Sequence, residues 1–148
     1  MTIKILEDTD NIQEYIDTVK ELNSSTVSLS TIEEIKNAIN ERPSNILTFV
    51  MVNDGVIVAS ATIIVEKKLR YKQLCYHIED VGVHPDNRGK GYGKEIVNYC
   101  IRTAKENNCY KLKLSCNNSL VDFYSQLGFV SNGDHMFYEN INMYADKK

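Results

Sequence analysis

The stretch that most constrains the fold runs from His77 to Lys94, where a strand-like segment leads into a glycine-rich basic turn. Its first half is rich in β-branched residues and ends at Pro85 and Asp86, which favour a turn. An amphipathic helix follows at once, because apolar residues recur with helical spacing at Val97, Cys100, Ile101 and Ala104. The order strand, turn and helix is typical of an α/β domain.

The glycine-rich turn has the composition of an anion site. Glycines let the backbone approach a phosphate closely, and the free N–H groups and dipole of a helix N-terminus favour negative charge. Arg88, Lys90 and Lys94 add positive charge. A solvated basic turn without a ligand is the alternative interpretation. The Walker pattern is excluded because Glu95 follows Lys94, and the dinucleotide fingerprint because it needs glycine in place of Lys94.

The segment Arg88-Gly89-Lys90-Gly91-Tyr92-Gly93 resembles the R-x-x-G-x-G/A pyrophosphate loop of the GNAT acyltransferases. Segments 77–81, 109–111 and 116–129 resemble, in order, those of the glucosamine 6-phosphate N-acetyltransferases, a family within that superfamily. The resemblance is good over residues 60–130 and loose elsewhere. It implies acetyl-CoA as cosubstrate, an amino-sugar phosphate as acceptor in UDP-GlcNAc biosynthesis, and a homodimer.

Length and composition limit the other possibilities. A chain of 148 residues is long enough for one core, so we expect a single domain over residues 1–148. The net charge of −3 argues against nucleic-acid binding, and no apolar run suits a signal region or a membrane span. We therefore expect a cytoplasmic protein. No metal is expected, because the spacing of the cysteines and histidines fits no metal site and favours free, buried thiols.

The hydrophobic periodicities predict the order β-α-α-β-β-β-α-β-α-β-β. Asp10 is expected to cap the first helix, and Ser30 or Thr31 the second. The last two strands are expected at Phe129–Ser131 and His135–Tyr144. The predicted fold class is α/β, with a mixed, mainly antiparallel sheet and about four helices, and the resemblance implies the same GNAT fold.

Glu79 and Asp80 are the candidate catalytic carboxylates. Transfer of an acetyl group to an amine needs a neutral amine, a stabilised carbonyl oxygen and a proton for the departing thiolate. Adjacent strand residues point to opposite faces, so the two acids are expected to have different tasks. One faces the amino sugar, as a base or as an anchor for its ammonium group, and the sequence does not assign which. The alternative is an acidic pair on the surface.

The resemblance implies further residues around the thioester. Backbone N–H groups from Val81 to Val83 are the expected oxyanion donors, and Gly82 is expected to let the pantetheine arm approach. Tyr124 matches the family tyrosine that lies by the sulfur and protonates the thiolate, although it could instead belong to the core. The expected cofactor-binding residues are Val81, Val83, Arg88, Gly89, Lys90, Gly91, Tyr92, Gly93, Lys94 and Tyr124.

The acceptor phosphate requires cations. Lys68 and Arg70 are candidates by charge, and their alternative is a solvated loop. The resemblance adds Tyr110 and Lys111 as a substrate-contacting pair, and Ser25 where the family has a threonine. Together with Glu79 and Asp80 these form the expected substrate site.

Three departures from the family keep other functions open. Ser115 stands where many members have an acidic residue, Leu120 replaces an asparagine, and the late arginine expected to hold the phosphate is missing. A bidentate arginine is a strong phosphate ligand, so its loss places the acceptor in question. The alternatives are acetylation of another small amine or a peptide terminus, and an acyl-CoA sensor without turnover.

Overall fold

The computed structural model describes residues 1–22, 28–133 and 136. Five strands and four α-helices are arranged along this part of the chain. The strands are β1 (Thr2–Ile5), β2 (Ile46–Asn53), β3 (Val56–Glu66), β4 (Cys75–Val83) and β5 (Lys111–Leu114). The helices are α1 (Ile12–Val19), α2 (Ile32–Glu41), α3 (Tyr92–Glu106) and α4 (Val121–Gln126). Short 3₁₀ turns occur at Lys20–Leu22, Pro85–Asn87 and Asn118–Leu120.

The strands form one sheet in the order β1-β2-β3-β4-β5. The first three pairings are antiparallel and the pairing of β4 with β5 is parallel. The apolar stripe of α3 packs on one face, with Ile96, Val97 and Cys100 in a buried cluster with β2, β3 and β4. A smaller cluster around Leu6 and Ile12 lies on the other face, where α1 packs. The predicted fold class, a mixed and mainly antiparallel sheet with four helices, is confirmed.

Local sequence signals explain several boundaries. Asp54 and Gly55 both have positive φ, at 50° and 80°, as a two-residue type I′ hairpin requires, and they join β2 to β3. Thr31, one of the two predicted caps, begins α2 and forms a capping box with Glu34. The predicted cap of the first helix is wrong by one residue. Asn11 is the cap, because its Oδ1 accepts from the N–H of Glu14.

The predicted strand at Phe129–Ser131 is absent from the described structure. Gly128 has φ of 102° and ends α4, and the N–H of Phe129 then donates to the carbonyl of Tyr124 at 3.1 Å. This pattern is a Schellman-type helix end, which uses the amide that a strand would have needed. The second predicted strand, His135–Tyr144, lies outside the described residues except for Met136.

Within the described part of the chain, no helix is both long and apolar enough to cross a membrane.

Candidate active site

A β-bulge lies at the two candidate carboxylates. Ser60 of β3 pairs with Gly82 and Thr62 pairs with Glu79, so β4 contains one more residue than β3 over this interval. The extra residue is accommodated by the left-handed backbone of Asp80, whose φ is 51°. A bulge interrupts the alternation of side chains along a strand. The expectation that Glu79 and Asp80 point to strictly opposite faces therefore does not apply here.

The sheet opens next to this bulge. Pairing between β4 and β5 stops at Ile78 and Leu114, and beyond that point β4 has no partner on its β5 side within the described structure. The two strands enclose a cleft of about 400 Å³, which we call the β4–β5 cleft. Its lining comprises residues 22, 78–81, 114–117, 120 and 124. The cleft thus brings together Glu79, Asp80, Val81 and Tyr124.

Tyr124 joins the cleft to the core. Its side chain is buried, with its ring 4.9 Å from that of Phe123 and 5.7 Å from that of Phe129. Burial raises the pKa of its hydroxyl, and the nearby thiols of Cys116 and Cys100 act in the same direction. A tyrosine in this setting keeps its proton at neutral pH. Tyr124 is therefore both a core residue and a residue that lines the cleft.

The glycine-rich turn has the backbone conformation of an anion site. Gly89 and Gly91 have φ of 78° and 83°, which residues with a Cβ rarely adopt. Gly91 occupies the cap position of α3 and offers no side chain there, so the first-turn N–H groups have no side-chain cap. A Cβ on Gly93 would lie 3.5 Å from Val83 and 3.6 Å from Phe123, which places this turn beside the end of β4 and the start of α4.

The polar side chains of the turn have different partners. Asn53 donates to the hydroxyl of Tyr92 at 3.0 Å and ties the start of α3 to the end of β2. Arg88 pairs with Glu21 at the surface, just after α1. Lys90 and Lys94 are exposed. The turn therefore presents two exposed ammonium groups and a guanidinium that is paired with one carboxylate.

The predicted substrate-contacting pair, Tyr110 and Lys111, does not line the β4–β5 cleft. Tyr110 donates its N–H to the carbonyl of Leu74, and Lys111 pairs with Cys75 at the beginning of β4. Cys75 is four residues before Glu79, a separation of about 13 Å along a strand. Tyr110 and Lys111 are thus at the opposite end of the β4–β5 pair from the cleft.

The basic loop between β3 and β4 adjoins that same end. The guanidinium of Arg70 lies 4.9 Å from the ring centre of Tyr71, whose ring is 4.6 Å from that of Tyr110. Lys68 lies 3.8 Å from Glu66, at the end of β3. Lys68 and Arg70 are thus on the loop that adjoins the end of the sheet where Lys111 begins β5. Ser25, the other predicted substrate residue, lies outside the described residues.

A second cavity adjoins Asp80 from the other side. It measures about 570 Å³ and lies between α1, α2 and the edge of the sheet, and we call it the α1–α2 cavity. Asp80 is the one described residue that lines both spaces. Burial raises the pKa of its carboxyl. Tyr15 lines the same cavity, and burial together with the charge of Asp80 raises the pKa of Tyr15 to about 12.

Gly82 makes a contact that the sequence did not indicate. A Cβ on this residue would lie 2.0 Å from the carbonyl oxygen of Thr18, so the glycine allows α1 to approach β4. The expected approach of a cofactor arm stays a prediction. The sequence interpretation also missed Tyr15 and Cys116. The helical face that Tyr15 shares with Ile12 and Ile16 gave no sign of a carboxylate partner, whereas Cys116 lay in a segment already singled out.

The remaining thiols and metal-binding side chains show no further site. Cys75 and Cys100 are buried, as predicted, but Cys109 is half-buried and Cys116 is exposed beside the cleft. All four are free thiols. Across residues 1–22 and 28–133, no three His, Cys, Asp or Glu side chains gather as metal ligands would.

This architecture, with a sheet opening beside two carboxylates and a glycine turn leading into a helix, defines the acetyltransferase class that the sequence suggested. The profile of the Acetyltransferase (GNAT) family matches residues 12–129, and the chain belongs to that family.

The chain is similar to named members of the family. It is 33% identical over 138 residues to glucosamine 6-phosphate N-acetyltransferase of Candida albicans, covering 91% of this chain and 93% of that protein. It is 42% identical over 81 residues to the Schizosaccharomyces pombe enzyme of the same name, covering 54% and 73%. The crystal structure of the Arabidopsis thaliana glucosamine-6-phosphate N-acetyltransferase superimposes with a TM-score of 0.82 at 28% identity, covering 94% of this chain and 97% of that one.

Proposed function

We propose that this protein is a glucosamine 6-phosphate N-acetyltransferase that uses acetyl-CoA. The observation that carries the proposal is the β4–β5 cleft, in which Glu79, Asp80 and Tyr124 meet next to an open strand edge. Similarity to an enzyme of that name over more than nine-tenths of both chains supports the choice of acceptor.

The glycine-rich turn is assigned to the pyrophosphate of acetyl-CoA. The left-handed Gly89 and Gly91 and the uncapped first turn of α3 fit this group, because they expose N–H donors without a Cβ in front of them. Arg88, Lys90 and Lys94 supply the positive charge. Acetyl-CoA supplies the thioester whose acyl group is transferred. The position of Gly93 against Val83 supports this assignment, because it brings the turn next to the end of β4, in line with the cleft.

The two carboxylates are assigned to the acceptor amine. Asp80 lies between the β4–β5 cleft and the α1–α2 cavity, and burial favours its neutral form. Glu79 has 44% of its side chain accessible and is assigned as the anchor for an ammonium group. We therefore expect both to contact the amine, one as anchor and one as proton acceptor through water.

Tyr124 and the open edge of β4 complete the proposed reaction. The amine nitrogen forms a bond to the acyl carbon while the carbon–sulfur bond breaks, and the hydroxyl of Tyr124 protonates the sulfur. Of the two protons that the ammonium loses, one goes to the carboxylate and then to solvent, and the other restores Tyr124. N–H groups at Val81 and Val83 stabilise the charge on the carbonyl oxygen.

The proposal includes a homodimer. Lys111 is opposite Cys75, about 13 Å along the strand from Glu79, and Lys68 and Arg70 are in the adjoining loop between β3 and β4. An acceptor site shared between two subunits would give these cations a role in binding the phosphate.

The free thiols of Cys75 and Cys100 suit a reducing compartment, so we place this single-domain enzyme in the cytoplasm, in UDP-GlcNAc biosynthesis.

Thiol release from acetyl-CoA tests the acceptor. The purified protein is assayed with glucosamine 6-phosphate, glucosamine and a panel of peptides, at matched concentrations. We expect release with glucosamine 6-phosphate, and weaker release with glucosamine because it lacks the phosphate. Faster release with another amine would assign a different acceptor, and acetyl-CoA binding without release from any amine would identify a sensor.

A further inference from the structure

A row of polar side chains crosses the sheet and ends at Glu79. Nδ1 of His77 lies 3.6 Å from Oε1 of Glu66, and Nε2 of the same ring lies 3.9 Å from Oε1 of Glu79. His77 and Glu79 are two residues apart on β4, before the bulge, so their side chains share a face. Each nitrogen of the imidazole thus faces a carboxylate, one of which belongs to the cleft.

Glu66 is at the other end of this row, where two lysines hold its carboxylate in place. Its Oε2 lies 3.1 Å from Nζ of Lys113 and 3.8 Å from Nζ of Lys68. Burial opposes ionisation of Glu66, but the hydrogen bond and charge of Lys113, with Lys68 and His77, outweigh it and lower the pKa of its carboxyl. Glu66 therefore stays charged at neutral pH, with one oxygen on the lysines and the other toward His77.

We propose that His77 is a positioning residue: its imidazole, held by Glu66, orients the carboxylate of Glu79 toward the acceptor amine. The inference rests on the proposed function, because it requires Glu79 to contact that amine. A carboxylate on a strand can adopt several rotamers, and a fixed partner near one of its oxygens selects among them. Small misplacement of a group that contacts the substrate reduces turnover strongly.

A purely structural role for Glu66 and His77 predicts a different effect of their substitution on turnover. The side chains of Glu66, His77 and Glu79 are 29%, 25% and 44% exposed, and ion pairs at such positions contribute little to stability. A structural role would leave turnover unchanged once the variant is folded. A positioning role lowers kcat while the thermal midpoint stays within about 3 °C of the original.

The variants His77→Ala, His77→Gln and Glu66→Gln test this, with His84→Ala as matched control. His84 is also half-buried and faces two carboxylates, that of Asp17 at 3.7 Å and that of Asp86 at 3.9 Å, but it does not line the cleft. With glucosamine 6-phosphate, we expect His77→Ala to lower kcat about tenfold and to leave the KM for acetyl-CoA within about twofold. His77→Gln retains a hydrogen-bonding group and is expected to recover at least part of the loss. Glu66→Gln, which touches no cleft residue, is expected to lower kcat about threefold.

The outcomes separate this inference from the proposed function. Suppose that the wild-type protein turns over and that the kcat of both His77→Ala and Glu66→Gln is within about twofold of the wild-type value. This result would overturn the positioning role alone. A loss in His77→Ala that His84→Ala reproduces would also overturn it. Absence of wild-type turnover with every amine would overturn the proposed function and this inference together.

Discussion

The carbonyl oxygen of Thr18 lies so close to Gly82 that a Cβ atom on residue 82 would be 2.0 Å from it. The carbonyl carbon of Thr18 would be only 2.8 Å away. The hydroxyl of Thr18 also bonds that of Ser60 at 2.6 Å, in the strand that pairs with Gly82. Helix α1 is therefore locked onto β3 and β4 directly after the bulge that presents Asp80.

Replacement of Gly82 by alanine is expected to destabilise the protein. Both clashing atoms belong to the backbone of α1, so relief requires the helix to move, and we expect a loss of about 3 kcal/mol in the free energy of unfolding. Urea denaturation measures this loss. Gly93→Ala is the control, since its Cβ would make ordinary contacts at 3.5 Å and 3.6 Å inside a helix. It is expected to leave stability equal or slightly higher. Equal stability of Gly82→Ala and wild type would contradict the close packing of α1.

Because of Tyr15, we expect the stability of the protein to depend on pH in the alkaline range. Burial and then the charge of Asp80 raise its pKa in the folded state from 10.0 to about 12. The neutral hydroxyl is thus favoured by folding, so its contribution is complete below pH 10 and is lost as the pH rises toward 12. Between pH 9 and pH 11 we expect this group to lower the free energy of unfolding by about 1 kcal/mol.

Tyr15→Phe isolates that contribution. Urea titrations at pH 9 and pH 11 are compared between the variant and wild type, and the decrease is expected to be smaller in the variant by about 1 kcal/mol. Identical decreases in both proteins would show that Tyr15 ionises as freely in the folded chain as in the unfolded one.

Tyr124→Phe tests the proposed proton donor. Removal of the hydroxyl leaves the ring packing against Phe123 and Phe129 in place but removes the proton for sulfur. We expect kcat to fall by about 10- to 100-fold with nearly unchanged affinity for acetyl-CoA, measured by steady-state kinetics and calorimetry. Tyr99→Phe is the control, because Tyr99 stacks on Phe49 and does not line the cleft. Equal turnover of Tyr124→Phe and wild type would leave Tyr124 with a role in the core only.

The fold was largely readable from the sequence because its signals are local. The strand before the glycine-rich turn was predicted from its β-branched residues and the turn formers Pro85 and Asp86, and it is observed as β4. The capping box at Thr31 and the Asp54-Gly55 hairpin likewise depend on neighbouring residues. The strand predicted at Phe129 was wrong, because its amide is used by the end of α4.

The arrangement of the site could be predicted less well from the sequence, because it depends on contacts between residues that are far apart in the chain. The bulge at Asp80 arises from the register between β3 and β4, which no single segment reveals. The tight contact at Gly82 depends on where α1 packs. The link from Glu66 through His77 to Glu79 joins two strands, and the sequence interpretation did not connect these residues.

The central claim is that the turn before α3 binds the pyrophosphate of acetyl-CoA while the acyl group lies beside Glu79 and Asp80. A crystal structure of the protein with coenzyme A tests it most directly. We predict the pyrophosphate within hydrogen-bonding distance of the N–H groups between Arg88 and Lys94, and the sulfur in the β4–β5 cleft next to the hydroxyl of Tyr124. A pyrophosphate bound elsewhere, or a sulfur outside that cleft, would contradict the account.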